Sequence, residues 1–195
     1  MKTARARSKG GQRLSFSKKI GLKSPFEDAF NDEEVGRIVK YTLKLPEVRR
    51  TLRGKRYRIL RCFSDTLKNR KGKLRYATSV IYNYSDDLTH VIRIDMETGQ
   101  IIDTQELAIQ PGPSSEEYNE AMSIIKNDRW LQRVLESENT VIQQGLIVQD
   151  PDEEFPAGNH RCVEMYLLRP EPDRLTRRVV VDLSSQNIIV NEEAQ

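Results

Sequence analysis

The sequence predicts an α+β protein made of two similar units in tandem, each a helix packed on a four-stranded antiparallel sheet, behind a basic N-terminal tail. Three observations predict it. The order of elements repeats, each repeat opens with an amphipathic helix behind a capping signal, and the apolar period then shortens to that of strands. NDEEV at 31–35 opens a pattern that SSEEY at 114–118 opens again, and LPEVRRTL at 45–52 is echoed by DRWLQRVL at 128–135. DDLTHVIRIDMETGQII at 86–102 aligns with DRLTRRVVVDLSSQNII at 173–189. Between the first and last of these blocks the offset grows from 83 to 87 residues, so the copies differ by a loop length rather than by an element. The units are placed at 28–107 and 108–195, after a tail at 1–27.

Val35, Ile38, Val39 and Thr42 in the first copy, and Tyr118, Ala121, Met122 and Ile125 in the second, fall on one face of a helix and are assigned to the core. Ser114 with Glu117 has capping-box spacing, and Asn31 with Glu34 is a close variant. Pro46 removes a backbone donor, so the first helix is expected to break there and a short second helix to carry Val48 and Leu52. The second copy, with no proline at that place, is expected to run straighter. YRILRCF (57–63), LRYATSVIYNY (74–84), HVIRID (90–95) and QIIDTQEL (100–107) then read as strands, with LKNRKGKL, SDDL and METGQ as turns. VIQQGLIV, RCVEMYLL, RRVVVDL and NIIV supply the second set, separated by the loop QDPDEEFPAGN and by RPEPDRL. Asp95 and Asp182 end equivalent strands, and each is assigned to stabilising the turn that follows.

Apolar residues make up 37% and charged residues 31%, which suits small units with thin cores. No apolar run approaches the roughly 20 residues that span a bilayer, and the basic N-terminus lacks a hydrophobic signal core, so a cytoplasmic protein is expected. Cys62 and Cys162 could form at most one bridge, and reduced thiols are expected.

The second copy, QPGPSSEEYNEAMSIIKNDRWLQRVLES followed by RCVEMYLLRP and VVVDLSSQNIIV, resembles the third N-terminal domain of copper amine oxidases. The first copy is similar to their second N-terminal domain. Those domains are cystatin-like, which implies a helix on an antiparallel sheet in each copy. PepSY-like domains share the ending seen in IDMETGQII. In the oxidases the copper and quinone belong to a large C-terminal catalytic domain that the resemblance does not reach, so a protein that is not an enzyme is expected. Tyr84 in IYNYSDD follows Asn83 as the family's quinone-forming tyrosine follows an Asn, but Ser85 stands where an acidic residue belongs. Copper would need three histidines, and His90 and His160 are the two present.

No cofactor or metal is expected from the residues either. His160 and Cys162 would share a strand face but lack a second ligand pair. Cys62 reads as a small buried apolar residue, and Trp130 as a core anchor at helical spacing from Val134. Gln143-Gln144-Gly145 is not the Q-x-V-x-G hairpin of cystatin inhibitors.

The net charge of +3 conceals a segregation. Residues 1–24 carry eight basic side chains (Lys2, Arg5, Arg7, Lys9, Arg13, Lys18, Lys19, Lys23) and no acidic one. Such a tail is expected to be disordered until it meets a partner. Residues 25–107 are +3 and residues 108–195 are −8. Between Arg49 and Arg75 stand twelve basic residues and one acidic residue, Asp65. Tyr57 and Phe63 read as sharing one face of the strand within that run. Two functional readings follow. One is an adaptor or scaffold that makes protein contacts, with another protein or with itself, through its sheets or its opposed charges. The alternative is a polyanion binder, nucleic acid foremost, using the tail with Arg53, Lys55, Arg56, Arg58, Lys68, Arg70, Lys71 and Lys73. A membrane is the disfavoured partner, because the tail has no amphipathic pattern.

Overall fold

The computed structural model describes residues 30–69, 72–137, 140–148, 160–170 and 173–193. The tail at 1–27, Arg70, Lys71 and the loop at 149–159 therefore lie outside the described residues. Helices α1 (Asp32–Thr42) and α2 (Pro46–Leu52) lead into β1 (Tyr57–Asn69), β2 (Gly72–Asn83), β3 (Leu88–Asp95) and β4 (Ile101–Leu107). Helices α3 (Ser115–Asn127) and α4 (Arg129–Ser137) lead into β5 (Val141–Ile147), β6 (Cys162–Pro170), β7 (Asp173–Asp182) and β8 (Asn187–Glu193). Each set of strands is an antiparallel meander, in the orders β1-β2-β3-β4 and β5-β6-β7-β8. The chain is thus an α+β protein of two tandem units.

Local chemistry accounts for both helix starts. Asn31 Oδ1 accepts from the Glu34 backbone N–H at 3.0 Å and Glu34 reaches back to the Asn31 N–H at 3.1 Å. Ser114 and Glu117 repeat the exchange at 3.2 and 2.8 Å. Pro46 stands at the first position of α2, where its missing donor costs nothing. The expected straight second helix is not found: the chain breaks at Asp128, whose Oδ1 accepts from the N–H groups of Trp130 and Leu131 and so starts α4. An Asx cap does here what proline does in the first unit.

The strands run further than the apolar pattern indicated, since β1 and β2 extend to Asn69 and Gly72 through residues that read as turn. A register shift between Ile59 and Arg61 inserts a bulge at Leu60 and reverses the parity of β1. Tyr57 and Phe63 consequently lie on opposite faces, Tyr57 opposite Asn83 and Phe63 opposite Thr78. Asp95 Oδ1 accepts from the backbone of Glu97 and Thr98, and Asp182 Oδ1 from that of Ser184 and Ser185. In the aligned turns Gly99 and Gln186 both take positive φ, at 74° and 61°. The left-handed step belongs to the turn, and glycine only makes it cheaper.

Two apolar cores result. Ile38, Val48, Leu52, Ala77, Ile81, Ile92, Ile94 and Met96 form that of the first unit. The other combines Ala121, Ile125, Leu131, Val163, Met165, Val179, Val181 and Leu183 of the second unit with Leu60, Tyr82 and Tyr84 of the first. The units therefore share a core.

Candidate polyanion interface

Six members of the basic run from Arg49 fall into two groups with opposite fates. Lys55, Arg56 and Arg58 are consumed within the chain. Lys55 pairs with Asp86, while Arg56 and Arg58 clamp the two oxygens of Glu120 on α3 at 2.5 and 2.8 Å. Arg56 also donates to the carbonyl of Leu183 at 2.5 Å and stacks over the Tyr84 ring at 4.2 Å. The attraction between a basic first unit and an acidic second one is met inside one molecule.

Arg53 belongs to the second group. It lines a cavity of about 730 Å³ with Lys44, Arg49, Arg50 and Tyr57 around a floor that includes Leu43, Pro46, Val48 and Leu52. The Pro46 break produces this geometry: α2 turns back over the sheet, buries Val48 and Leu52, and leaves Arg49, Arg50 and Arg53 exposed on its other side. None of Lys44, Arg49, Arg50 or Arg53 takes an ion pair among the described residues. Lys44 was missed in the sequence because it precedes the dense run. Arg49 and Arg50 were counted in the run but could not be told from its paired members. Lys68 and Lys73 are register partners across the β1–β2 hairpin, away from this cavity's lining.

Other expected candidates resolve into structure. Tyr84 is buried, and its hydroxyl donates to Glu117 Oε1 at 2.7 Å, with burial first and that carboxylate second raising its pKa. His160-Arg161-Cys162 is not a ligand edge. Its middle residue matters most: the Arg161 guanidinium, fully buried, pairs with Glu117 and lies 4.7 Å from the centre of the Tyr82 ring. Cys62 and Cys162 are free, and burial pushes both thiols up, Cys162 to about 12, so neither is an activated nucleophile. Cys62 is half-buried rather than fully enclosed. Among the described residues, no group of three or more His, Cys, Asp or Glu side chains could hold a metal ion.

Trp130 is not a core anchor. It is 39% exposed, and the Arg177 guanidinium covers its ring at 4.1 Å. Leu131 and Val134 take the inward face of α4 instead. The repeat already aligned Trp130 with Glu47, an exposed position.

His160 also joins the two units. Its Nδ1 meets Asp182 Oδ2 at 2.6 Å, and its Nε2 lies 3.7 Å from Asp87 Oδ2 in the first unit. The Asp182 hydrogen bond, then the charges of Asp182 and Asp87, outweigh desolvation and raise the imidazole pKa. Because the folded value lies above the unfolded one of about 6.5, this contribution to stability is fully present below about pH 6.5 and lost as pH rises through the raised value. Urea midpoints should accordingly fall more between pH 6 and 8.5 in the parent than in His160→Gln. Parallel falls would remove His160 from the linkage.

No protein-family model and no curated protein matches this sequence. Among solved structures, a copper-containing benzylamine oxidase from Hansenula polymorpha superposes with a TM-score of 0.60 at 10% identity. The match covers 86% of this chain and 30% of the oxidase chain. The resemblance read from the sequence holds at the level of fold. Its extent fits the two N-terminal domains rather than the whole enzyme. Among the described residues no helix is long and apolar enough to cross a membrane.

Proposed function

We propose that the chain is a non-catalytic binding protein whose first unit, with the basic tail, holds a polyanion, nucleic acid foremost. The observation that carries this reading is the division of the basic run. Three of its cations are paired with Asp86 and Glu120, yet Arg49, Arg50 and Arg53 gather with Lys44 around a cavity and take no ion pair among the described residues. Four cations on one concave rim raise the local concentration of anions, and each phosphate they neutralise releases condensed counterions. The adaptor reading draws support from β5, an edge strand on which Leu146 is 71% exposed.

Fluorescence anisotropy with mixed-sequence DNA and RNA across a salt series separates the two. The full chain is expected to bind with an affinity that falls steeply with salt, and a chain starting at Ser24 to bind more weakly with a shallower salt slope. Absence of binding even at low salt would sink the polyanion reading and leave the adaptor.

A further inference from the structure

Resting on the polyanion reading, we infer that the cavity between α2 and the β1 edge is a site for single-stranded nucleic acid, seating an unstacked base against Tyr57 with its flanking phosphates on Arg49, Arg50, Arg53 and Lys44. Two features of the lining point to this class of ligand rather than to polyanions at large. The first is its mixed chemistry. A duplex keeps its bases stacked inside and presents phosphates on a convex surface, so the half-buried Leu43 and exposed Pro46 of the lining would have nothing to cover. An unpaired strand brings both parts: a flat apolar base for the floor and charged groups for the rim.

The second feature is Tyr57. It is 38% exposed on an edge strand and lines the cavity with four cations that take no ion pair among the described residues, so an aromatic side chain stands beside the charges. The Leu60 bulge is what keeps it there. By reversing the strand's parity it leaves Tyr57 on the helix-bearing face with Ile59, and sends Arg61 and Phe63 to the other. The volume of about 730 Å³ falls within the roughly 300–1,000 Å³ of small-ligand sites, which suits a nucleotide unit and not a long surface track. Two arginines on consecutive positions of α2, with Arg53 one turn on, offer planar forks for phosphate oxygens on either side of the base.

The test uses the full chain with a labelled 16-nucleotide single strand, the same sequence as a duplex, and heparin, a polyanion without bases. The single strand is expected to bind at least tenfold more tightly than the duplex at ~150 mM salt. Tyr57→Ala should weaken single-strand binding roughly tenfold, the usual size of one aromatic–base stack, with its salt slope unchanged and heparin binding untouched. Arg50→Glu with Arg53→Glu should instead flatten the salt slope for every probe. All three substitutions fall on exposed side chains, and circular dichroism checks that each variant is folded. Equal binding of single strand, duplex and heparin, with Tyr57→Ala neutral, would overturn the inference while the polyanion reading stands. Retained binding in the double charge reversal would place the site elsewhere and also overturn it. No binding of any probe by the parent at low salt would remove both.

Discussion

Replacing Glu117 with alanine is expected to cost about 3–5 kcal/mol of stability, because the substitution leaves Arg161 in the interior without its counter-charge. Both side chains are completely buried. The carboxylate does three things at once. It accepts from Arg161 Nε and, at 2.9 Å, from Nη2; it accepts the Tyr84 hydroxyl; and it caps the Ser114 N–H at the start of α3. Burial alone would raise its pKa, but the Arg161 and Tyr84 hydrogen bonds hold it below the ordinary value. The stability it contributes is therefore present above its unfolded pKa near 4.3 and is lost as pH falls through the lower folded value.

Urea denaturation followed by circular dichroism checks the size of the loss. The pair Glu117→Leu with Arg161→Met should be much less costly than Glu117→Ala alone, since a buried ion pair replaced by packed apolar groups is often close to neutral. Among the described residues Arg161 Nη1 has no hydrogen-bond partner even in the parent, so within them the pair is not perfectly compensated to begin with. A loss below about 1 kcal/mol in Glu117→Ala would mean that water reaches Arg161 and that the site is not dry.

Local signals in the sequence explain most of what was legible. Capping boxes, the Pro46 break and the aspartate turns each involve residues within four positions of one another, and all are found where the pattern placed them. Apart from the Asp128 cap and the outward turn of Trp130 just after it, which are local, the misassigned features depend on distant neighbours or on parity. Glu117 could be read as a cap from Ser114, but its second partner is 44 residues away and nothing in HRC marks it. The Leu60 bulge moved Phe63 across the sheet without leaving a trace in the apolar alternation. The basic run illustrates the same limit at the candidate site: charge density named the stretch, whereas Glu120, 64 residues on from Arg56, decided which of its cations stay available.

Tyr82→Ala is the other substitution with a large expected effect, again about 3–5 kcal/mol, and it tests how the units are coupled. Tyr82 comes from β2 of the first unit yet belongs to the core of the second. Its ring is fully buried, meets Tyr84 edge-to-face at 5.1 Å, lies beneath Arg161, and donates from its hydroxyl to Asp87 at 3.2 Å. Ile38 is equally buried but belongs to the first unit's own core. Trp130 stands on α4 and reports the second unit. If the shared core couples the units, Ile38→Ala must move the Trp130 fluorescence midpoint together with the circular dichroism midpoint, although the two residues belong to different units. In a Tyr82→Ala background the same Ile38 substitution should shift circular dichroism alone, because the second unit no longer senses the first. Coincident probes in the double variant would assign the coupling to the clamp of Arg56 and Arg58 on Glu120 instead, at the surface of the junction rather than in its core.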